Sequence, residues 1–408
     1  MASRPSVFLT GTFDVSNYGD LLFPLVAAAR LAAAGVDVVP VAPTANQPAF
    51  SDAMAPVAAA RMLGDASLAP CGVLVGGGYI LMAQPASGMR SYEQAGVARE
   101  AYPSLWIGAA LAAAIRDIPL VLNAPGAPFP FASGRRDDFA VPALRAADYL
   151  SVRDAQSARM FAPAALDWSI VPDTVLDLPR VWSAEELAGL HAGRLAHWGL
   201  PSGTPTLAIH VRARALGDPA ELAARIDALA LRHGLFPLLM ILGSELGDRP
   251  TARRISAGMT CAHRIVDDAG SLRELAAHLA SSVAYVGSSF HGYVTASAYG
   301  KPAVSVAIPA HGKYRGLLDQ LSRPGDLARD WQEGFARAEA HLARPRPSLL
   351  PPGIGEALDR HWATITAALN DASAGRARRM DFLRSYLRGG ARHLTAPWVV
   401  APHLSRRQ

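Results

Sequence analysis

The sequence predicts a two-domain α/β protein, with two parallel sheets facing a common cleft and a basic helical tail behind them. Three observations predict it. Short apolar runs alternate with alanine-rich helical stretches along most of the 408 residues, the pattern of parallel sheets joined by crossover helices. That rhythm loosens once, after Pro179, and restarts near Leu207. Glycine- and serine-rich turns follow several apolar runs, where open α/β sheets hold their ligands. The expected division is a first domain over 1–180, a linker over 181–204, a second domain over 205–370 and a tail over 371–408.

In the first domain the apolar runs at 7–10, 36–41, 72–75, 119–123, 149–152 and 169–171 read as strands, and 21–34, 105–116 and 155–161 as helices. In the linker, Ser183 followed by Glu185 and Glu186 reads as the cap of a short helix, and Pro201-Ser202-Gly203 as a turn. The second domain repeats the pattern, with strands at 207–211, 237–242, 264–266, 283–286 and 303–307. Its helices fit 219–232, 272–280, 292–299 and 314–321. Each connection is long enough for a parallel crossover. Two such Rossmann-like halves leave a cleft between them, the default place for a ligand.

Half the residues are apolar and 18% are charged, so large cores are expected and global disorder is not. Cys71 and Cys261 fall in different halves, which suits buried thiols of a reducing compartment better than a disulfide framework or a zinc site. The first apolar run is broken by Gly11 and Asp14 and reads as a strand, not a secretion signal. The longest, 105–115, is about half the ~20 residues a membrane span needs. A cytoplasmic location is expected, with no metal and no nucleic-acid partner. The net charge of +5 is carried almost wholly by arginine, the two lysines being Lys301 and Lys313.

Five motifs carry the chemistry. The first runs from Gly11 to Asp20 between a strand and a helix; Gly19 frees the turn, and Asn17 or Asp20 is placed to cap the helix. A plain strand–helix turn would look similar. In the second, Gly76, Gly77 and Gly78 directly follow a strand and let backbone approach a ligand. In the third, Arg153 and Asp154 end one strand and Asp173 follows another; Arg153 and Asp154 can simply pair, and Asp154 can cap the next helix. In the fourth, alternation puts His210, Arg212 and Arg214 on one face at a strand end, and paired guanidinium forks suit a doubly anionic ligand. The fifth, Gly287-Ser288-Ser289-Phe290-His291-Gly292, ends a strand and opens a helix, setting a histidine that can hold or give a proton near neutral pH at a helix N-terminus. Lys313 opens the helix after the next strand, in His311-Gly312-Lys313-Tyr314-Arg315.

In this order the motifs become recognisable: Gly-x-x-Asn-x-Gly-Asp, a glycine run after a strand, Val-Arg-Asp-x-x-Ser, Val-Pro-Asp, and Phe-His-Gly followed by Gly-Lys-Pro and a later lysine. From about Val7 to Leu321 the chain resembles the polysaccharide pyruvyl transferase family. The resemblance implies a fold similar to GT-B glycosyltransferases and transfer of a pyruvyl group, as a ketal, from phosphoenolpyruvate to a sugar or lipid-linked oligosaccharide. It implies that His291 is the general acid and that cationic residues hold the donor, for which Arg212, Arg214, Lys313, Ser288, Ser289 and Gly292 are the candidates. The loops bearing Asn17, Gly19, Asp20, Gly76, Gly77, Gly78, Arg153 and Asp173 would face the cleft or the acceptor. No cofactor is expected beyond the donor substrate. One position departs from the pattern: where better-known members carry Arg-x-His, this chain has Ser289-Phe290-His291. Either Arg212, Arg214 or Lys313 supplies the missing charge, or the donor differs, or activity is lost. Two readings therefore stand beside the first: a nucleotide-sugar glycosyltransferase, with Asp267 and Asp268 as candidate ribose ligands, and a non-catalytic anion-binding protein of a surface-polysaccharide pathway.

From Arg376 to Gln408 the tail carries eight arginines, at 376, 378, 379, 384, 388, 392, 406 and 407, against the single acid Asp381. Met380, Leu383 and Leu387 share one helical face, with Phe382 and Tyr386 beside it, and Trp398, Val399 and Val400 follow. Such a helix suits an anionic membrane surface, the protein's own body or a twin subunit equally.

Overall fold

The computed structural model describes residues 4–162, 164–243, 245, 247–308, 312–343 and 349–404. The first sheet is built from β1 (Ser6–Thr10), β2 (Asp37–Ala42), β3 (Val57–Ala58), β4 (Gly72–Val75) and β5 (Leu120–Leu122), all parallel, in the order β3-β2-β1-β4-β5. A bridge between Val121 and Tyr149 extends it toward the short parallel pair β6 (Ser151–Val152) and β7 (Ser169–Ile170). The second sheet comprises β8 (Thr206–His210), β9 (Phe236–Met240), β10 (Arg264–Val266), β11 (Ala284–Gly287), β12 (Ala303–Val306) and β13 (Leu327–Ala328), in the order β10-β9-β8-β11-β12-β13. Both sheets thus run outward from their first strand in two directions. In such sheets the crevice beyond the C-terminal ends, at the point of reversal, is where ligands sit. That point lies between β1 and β4 in one half and between β8 and β11 in the other.

Strands β1, β4, β5, β8 and β11 are buried on both faces, as their continuous apolar runs require. The crossover helices include Tyr18–Leu31, Ala101–Arg116, Pro219–His233, Leu272–Ser281 and Phe290–Ala298. The linker helix is longer than its cap alone suggested, running Ala184–His197; Ser183 Oγ accepts from Glu186 N at 3.2 Å and Glu186 Oε2 accepts from Ser183 N at 2.8 Å. It packs on Leu272–Ser281, so this stretch is built into the second half. There His191 Nδ1 meets His278 Nδ1 at 2.9 Å, with Trp198 stacked on the His278 ring.

The end of the chain returns to the first half. Pro352–Leu369, placed by sequence within the second domain, docks on the first sheet. His361 Nε2 lies 3.0 Å from Asn123 Oδ1, Trp362 Nε1 donates to Asp177, and Leu369 covers Gly72. The final helix, Arg376–Leu404, then packs against Ala101–Arg116 and Val141–Arg145, with a break at Thr395. Its buried stripe differs from the expected one. Arg379, fully buried, pairs with Asp148 at 3.0 Å and Asp117 at 2.9 Å, and Phe382, Leu383 and Tyr386 follow inward, while Leu387 is half exposed. The inward face is set by the carboxylates of buried Asp148 and part-exposed Asp117 as much as by apolar residues. Arg406 and Arg407 lie outside the described residues.

The halves meet near the chain's first turn. Tyr18 N donates to Leu242 O at 2.8 Å, Asn17 bridges Gly243, and Tyr18 Oη lies 2.9 Å from Thr295 Oγ1.

Candidate active site

The loops after β1, β4, β8 and β11 converge on one cavity of about 300 Å³ between the halves. His291 is part of its lining. Ser289 occupies the N-cap position of Phe290–Ala298, its Oγ accepting from Gly292 N at 3.2 Å, so the imidazole stands in the first turn. Gly19 is what admits it: a Cβ there would lie 1.9 Å from His291 Nδ1. Phe23 and Phe290 pack edge-on against the ring at 5.4 Å and 5.2 Å. On the far side Asp173 Oδ2 stands 3.6 Å from His291 Nε2, and among the described residues neither atom has a hydrogen-bond partner. Burial raises the Asp173 carboxyl, but His291 and Arg153 outweigh it and leave it below the ordinary carboxylate value. The two groups are therefore held as a loose pair, which orients the imidazole without occupying it.

Four cations face the same space: Arg153 from the first half and Arg212, Arg214 and Lys313 from the second. Arg153 is 4% exposed and lies over the Tyr79 ring at 4.0 Å and the Phe290 ring at 5.0 Å. It stands 3.6 Å from Asp154 and 3.9 Å from Asp173, yet no hydrogen bond reaches its Nε or Nη2. A buried guanidinium with open donors is poised for an anion. Lys313 Nζ sits 5.3 Å from both the Tyr79 and Phe290 ring centres. Burial, then the charges of Arg212, Arg153 and Arg214, push its ammonium well below the usual lysine range. Gathering four cations without an anion is costly, and a dianion relieves that cost.

The other candidate residues divide between lining and support. Asn17 and Asp20 line the cavity; Asp20 Oδ2 accepts from Thr12 Oγ1 and Asn17 Nδ2, both at 2.8 Å, so neither Asn17 nor Asp20 caps the helix through its side chain. Gly78 reaches the wall with a φ of +83°, which glycine adopts without strain. Gly76 lies against the Thr10 carbonyl and Gly77 against Phe23, so both serve packing. Ser288 Oγ accepts from Arg212 N at 2.8 Å, and Gly292 abuts Tyr285, so Ser288, Ser289 and Gly292 build the turn rather than line the cavity. Asp154 caps Ala155–Arg159 by accepting from Ser157 N at 2.7 Å.

The strand expected to continue through 211 ends at His210, and the backbone turns into a short helix at Ala213–Ala215. Arg212 and Arg214 therefore reach the cavity from a turn, whereas His210 faces away and bonds Asp248 Oδ2 at 2.8 Å. Lys301 lies outside the cavity and His311 outside the described residues. Asp267 and Asp268 are engaged by Arg249 and by Arg194 and Arg264, away from the cavity. Among the described residues no group of three or more His, Cys, Asp or Glu side chains is placed to hold a metal ion. Sequence reasoning passed over Tyr79, Tyr102 and Phe129, which also line the cavity. Tyr79 carried a signal, standing directly after the glycine triplet.

The model of one family, Polysaccharide pyruvyl transferase, matches residues 17–309, a span that runs from Asn17 through β12 and holds every cavity residue but Thr12 and Lys313. The chain belongs to that family. No curated protein sequence matches it. Among solved structures, a putative UDP-N-acetylglucosamine 2-epimerase from Listeria monocytogenes aligns with a TM-score of 0.55 at 13% identity, over 90% of this chain and 97% of that one. The UDP-GlcNAc 2-epimerase from Neisseria meningitidis, solved with UDP-GlcNAc, gives 0.55 at 11% identity, over 88% and 99%. At such identities the likeness is one of fold: two α/β lobes in the GT-B-like arrangement. Within this pyruvyl transferase fold, Ser289 holds the place where an arginine was expected, and three guanidiniums reach the cavity from other loops.

Proposed function

We propose that this polysaccharide pyruvyl transferase uses phosphoenolpyruvate as donor and forms a pyruvate ketal on two hydroxyls of a sugar in a surface polysaccharide or its lipid-linked precursor. The convergence of His291 with Arg153, Arg212, Arg214 and Lys313 on one cavity carries this reading. Phosphoenolpyruvate bears a carboxylate and a phosphate on one carbon, and bidentate guanidiniums recognise both. His291 gives its proton to the vinyl CH₂, which becomes the methyl group and leaves C2 electrophilic. An acceptor hydroxyl adds to C2, and Asp20 is the carboxylate on the wall able to take its proton. The C2–O bond to phosphate then breaks, the cations stabilising the departing charge, and a second hydroxyl closes the ketal. One hydroxyl hydrogen is balanced by the new methyl hydrogen and the other leaves with phosphate as HPO₄²⁻. Asp173, 3.6 Å from His291 Nε2, keeps the imidazole aimed. Arg212 and Arg214 replace the charge absent at Ser289.

Incubation of the protein with phosphoenolpyruvate or nucleotide-sugars and a panel of sugar acceptors tests the reading. Acceptor-dependent phosphate release from phosphoenolpyruvate is expected; nucleotide release instead would overturn it.

A further inference from the structure

The cavity has two unlike walls. The cations and His291 form one, and the other is made by Met82, Met89, Tyr102, Pro128 and Phe129 from the first half. If an anionic donor takes the charged wall, as proposed above, the second wall is left for the acceptor. Phe129 is 47% exposed, and among the described residues no other phenylalanine, tyrosine or tryptophan is as open to solvent. An aromatic ring left in water at a cavity mouth gains when a ligand covers it.

Its backbone is immobilised. Pro128 and Pro130 flank it, fixing their own φ and restricting the residues before them to extended conformations. Upstream, Gly126 N donates to Gly78 O at 2.7 Å and Ala127 N to Ser157 Oγ at 3.0 Å. Downstream, Phe131 stacks on Phe161 at 5.3 Å and meets Trp106 edge-on at 5.5 Å. The segment is a stiff rail that packs one phenylalanine, half-buried, against the core and holds the other out over the site. Behind it the Tyr102 hydroxyl donates only to the Met89 sulfur, at 3.7 Å, a weak partner that a sugar hydroxyl can displace.

The geometry points to Phe129 as the stacking platform of the acceptor subsite: it receives the C–H face of a pyranose ring and turns that ring's hydroxyl edge toward Asp20 and His291. Aromatic faces carry partial negative charge and pyranose C–H bonds partial positive charge, so the contact is electrostatic as well as apolar. A polyprenyl chain, by contrast, has no hydroxyls to offer the polar rim formed by Asn17 and Asp20.

Saturation-transfer NMR on the full-length protein with phosphoenolpyruvate tests this, using methyl β-galactopyranoside, methyl β-glucopyranoside and methyl α-mannopyranoside as probes. Transfer to the ring C–H protons of at least one glycoside is expected. It should fall about fivefold or more in Phe129→Ala, the size of a lost aromatic contact, and persist in Phe129→Tyr. Equal transfer in wild type and Phe129→Ala, or none to any glycoside in wild type, would overturn the platform. The shift in Tm that phosphoenolpyruvate gives wild-type protein, measured alongside, reads the donor assignment separately: without it, Phe129-dependent glycoside binding would still support the platform while the donor assignment fell.

Discussion

His291 and Gly19 come from turns far apart in sequence, and each explains the other. The imidazole occupies the volume a side chain at Gly19 would need. Gly19→Ala should therefore displace the ring and lower kcat much as His291→Ala does, by about 10²–10⁴, the usual cost of a lost positioned acid. Both variants should retain the Tm shift given by phosphoenolpyruvate, because the cations are untouched. Full turnover in either would remove His291 from the proton transfer. Lys313 makes a second residue-level prediction. Burial, then the charges of Arg212, Arg153 and Arg214, hold its pKa well below the usual lysine value and so favour the neutral amine. A dianion raises that pKa, and binding then takes up a proton. Calorimetry at pH 8 in buffers of different ionisation enthalpy should register the uptake in wild type, and Lys313→Met should abolish it. An identical uptake in that variant would assign the proton elsewhere.

At the scale of elements, the contact between the linker helix and Leu272–Ser281 contains the buried His191–His278 pair. One Nδ1 must donate and the other accept, so the contact holds only while at least one ring is neutral. Burial is the main reason their pKa values fall to about 4 for His191 and about 3 for His278, and buried His361, on the returning helix, falls to about 3. An unfolded histidine ionises near pH 6.5. Stability is thus fully present above that pH and is lost as pH falls toward the folded values, because only the unfolded chain takes up protons there. The loss should approach about 1.4 kcal/mol per pH unit for each histidine. Urea midpoints between pH 7.5 and 5 should show this slope, and a His191→Gln, His278→Leu double variant should flatten it. A slope unaltered by that double change would mean the pair is not the source.

The long strands and their helices were legible because apolar runs and alanine-rich segments have distinct periods. The two-residue strands β3 and β13 carry too few residues to show a period, and Pro352–Leu369 reads as an ordinary amphipathic helix whose address sequence cannot supply. At the site, turn motifs were legible because glycine and capping residues act locally, as at Ser289 and Asp154. Phe129 and Tyr102 were not, since their role depends on which loops meet. His210 was misplaced because alternation was carried one step past the end of its strand.

The whole molecule is two lobes that meet at the chain's first turn through Tyr18 and Leu242, with the returning helices packed on the first lobe. Among the described residues no helix is long and apolar enough to cross a membrane. The tail's outer side, with Arg384, Arg388 and the exposed Leu387 and Leu394, is the surface we propose for anionic lipid. Deleting the tail would test this poorly, because it would also remove Arg379 from Asp117 and Asp148. Arg384→Glu with Arg388→Glu keeps the buried side intact. It should reduce flotation on anionic liposomes at low salt, each arginine contributing about 1 kcal/mol near the surface. If wild type and variant both fail to float, membrane attachment is excluded.

The return of the chain's end to the first lobe has a consequence for biosynthesis. Helices 352–369 and 376–404 cover faces of a lobe whose strands were finished some two hundred residues earlier. At roughly 5–20 residues per second, a ribosome takes on the order of ten seconds or more to supply them. Until then, Gly72 lacks the cover of Leu369, and Asp117 and Asp148 lack the arginine that neutralises them. The first lobe cannot mature as an independent unit during translation. The second, whose sheet is complete by β13, is free to finish before it.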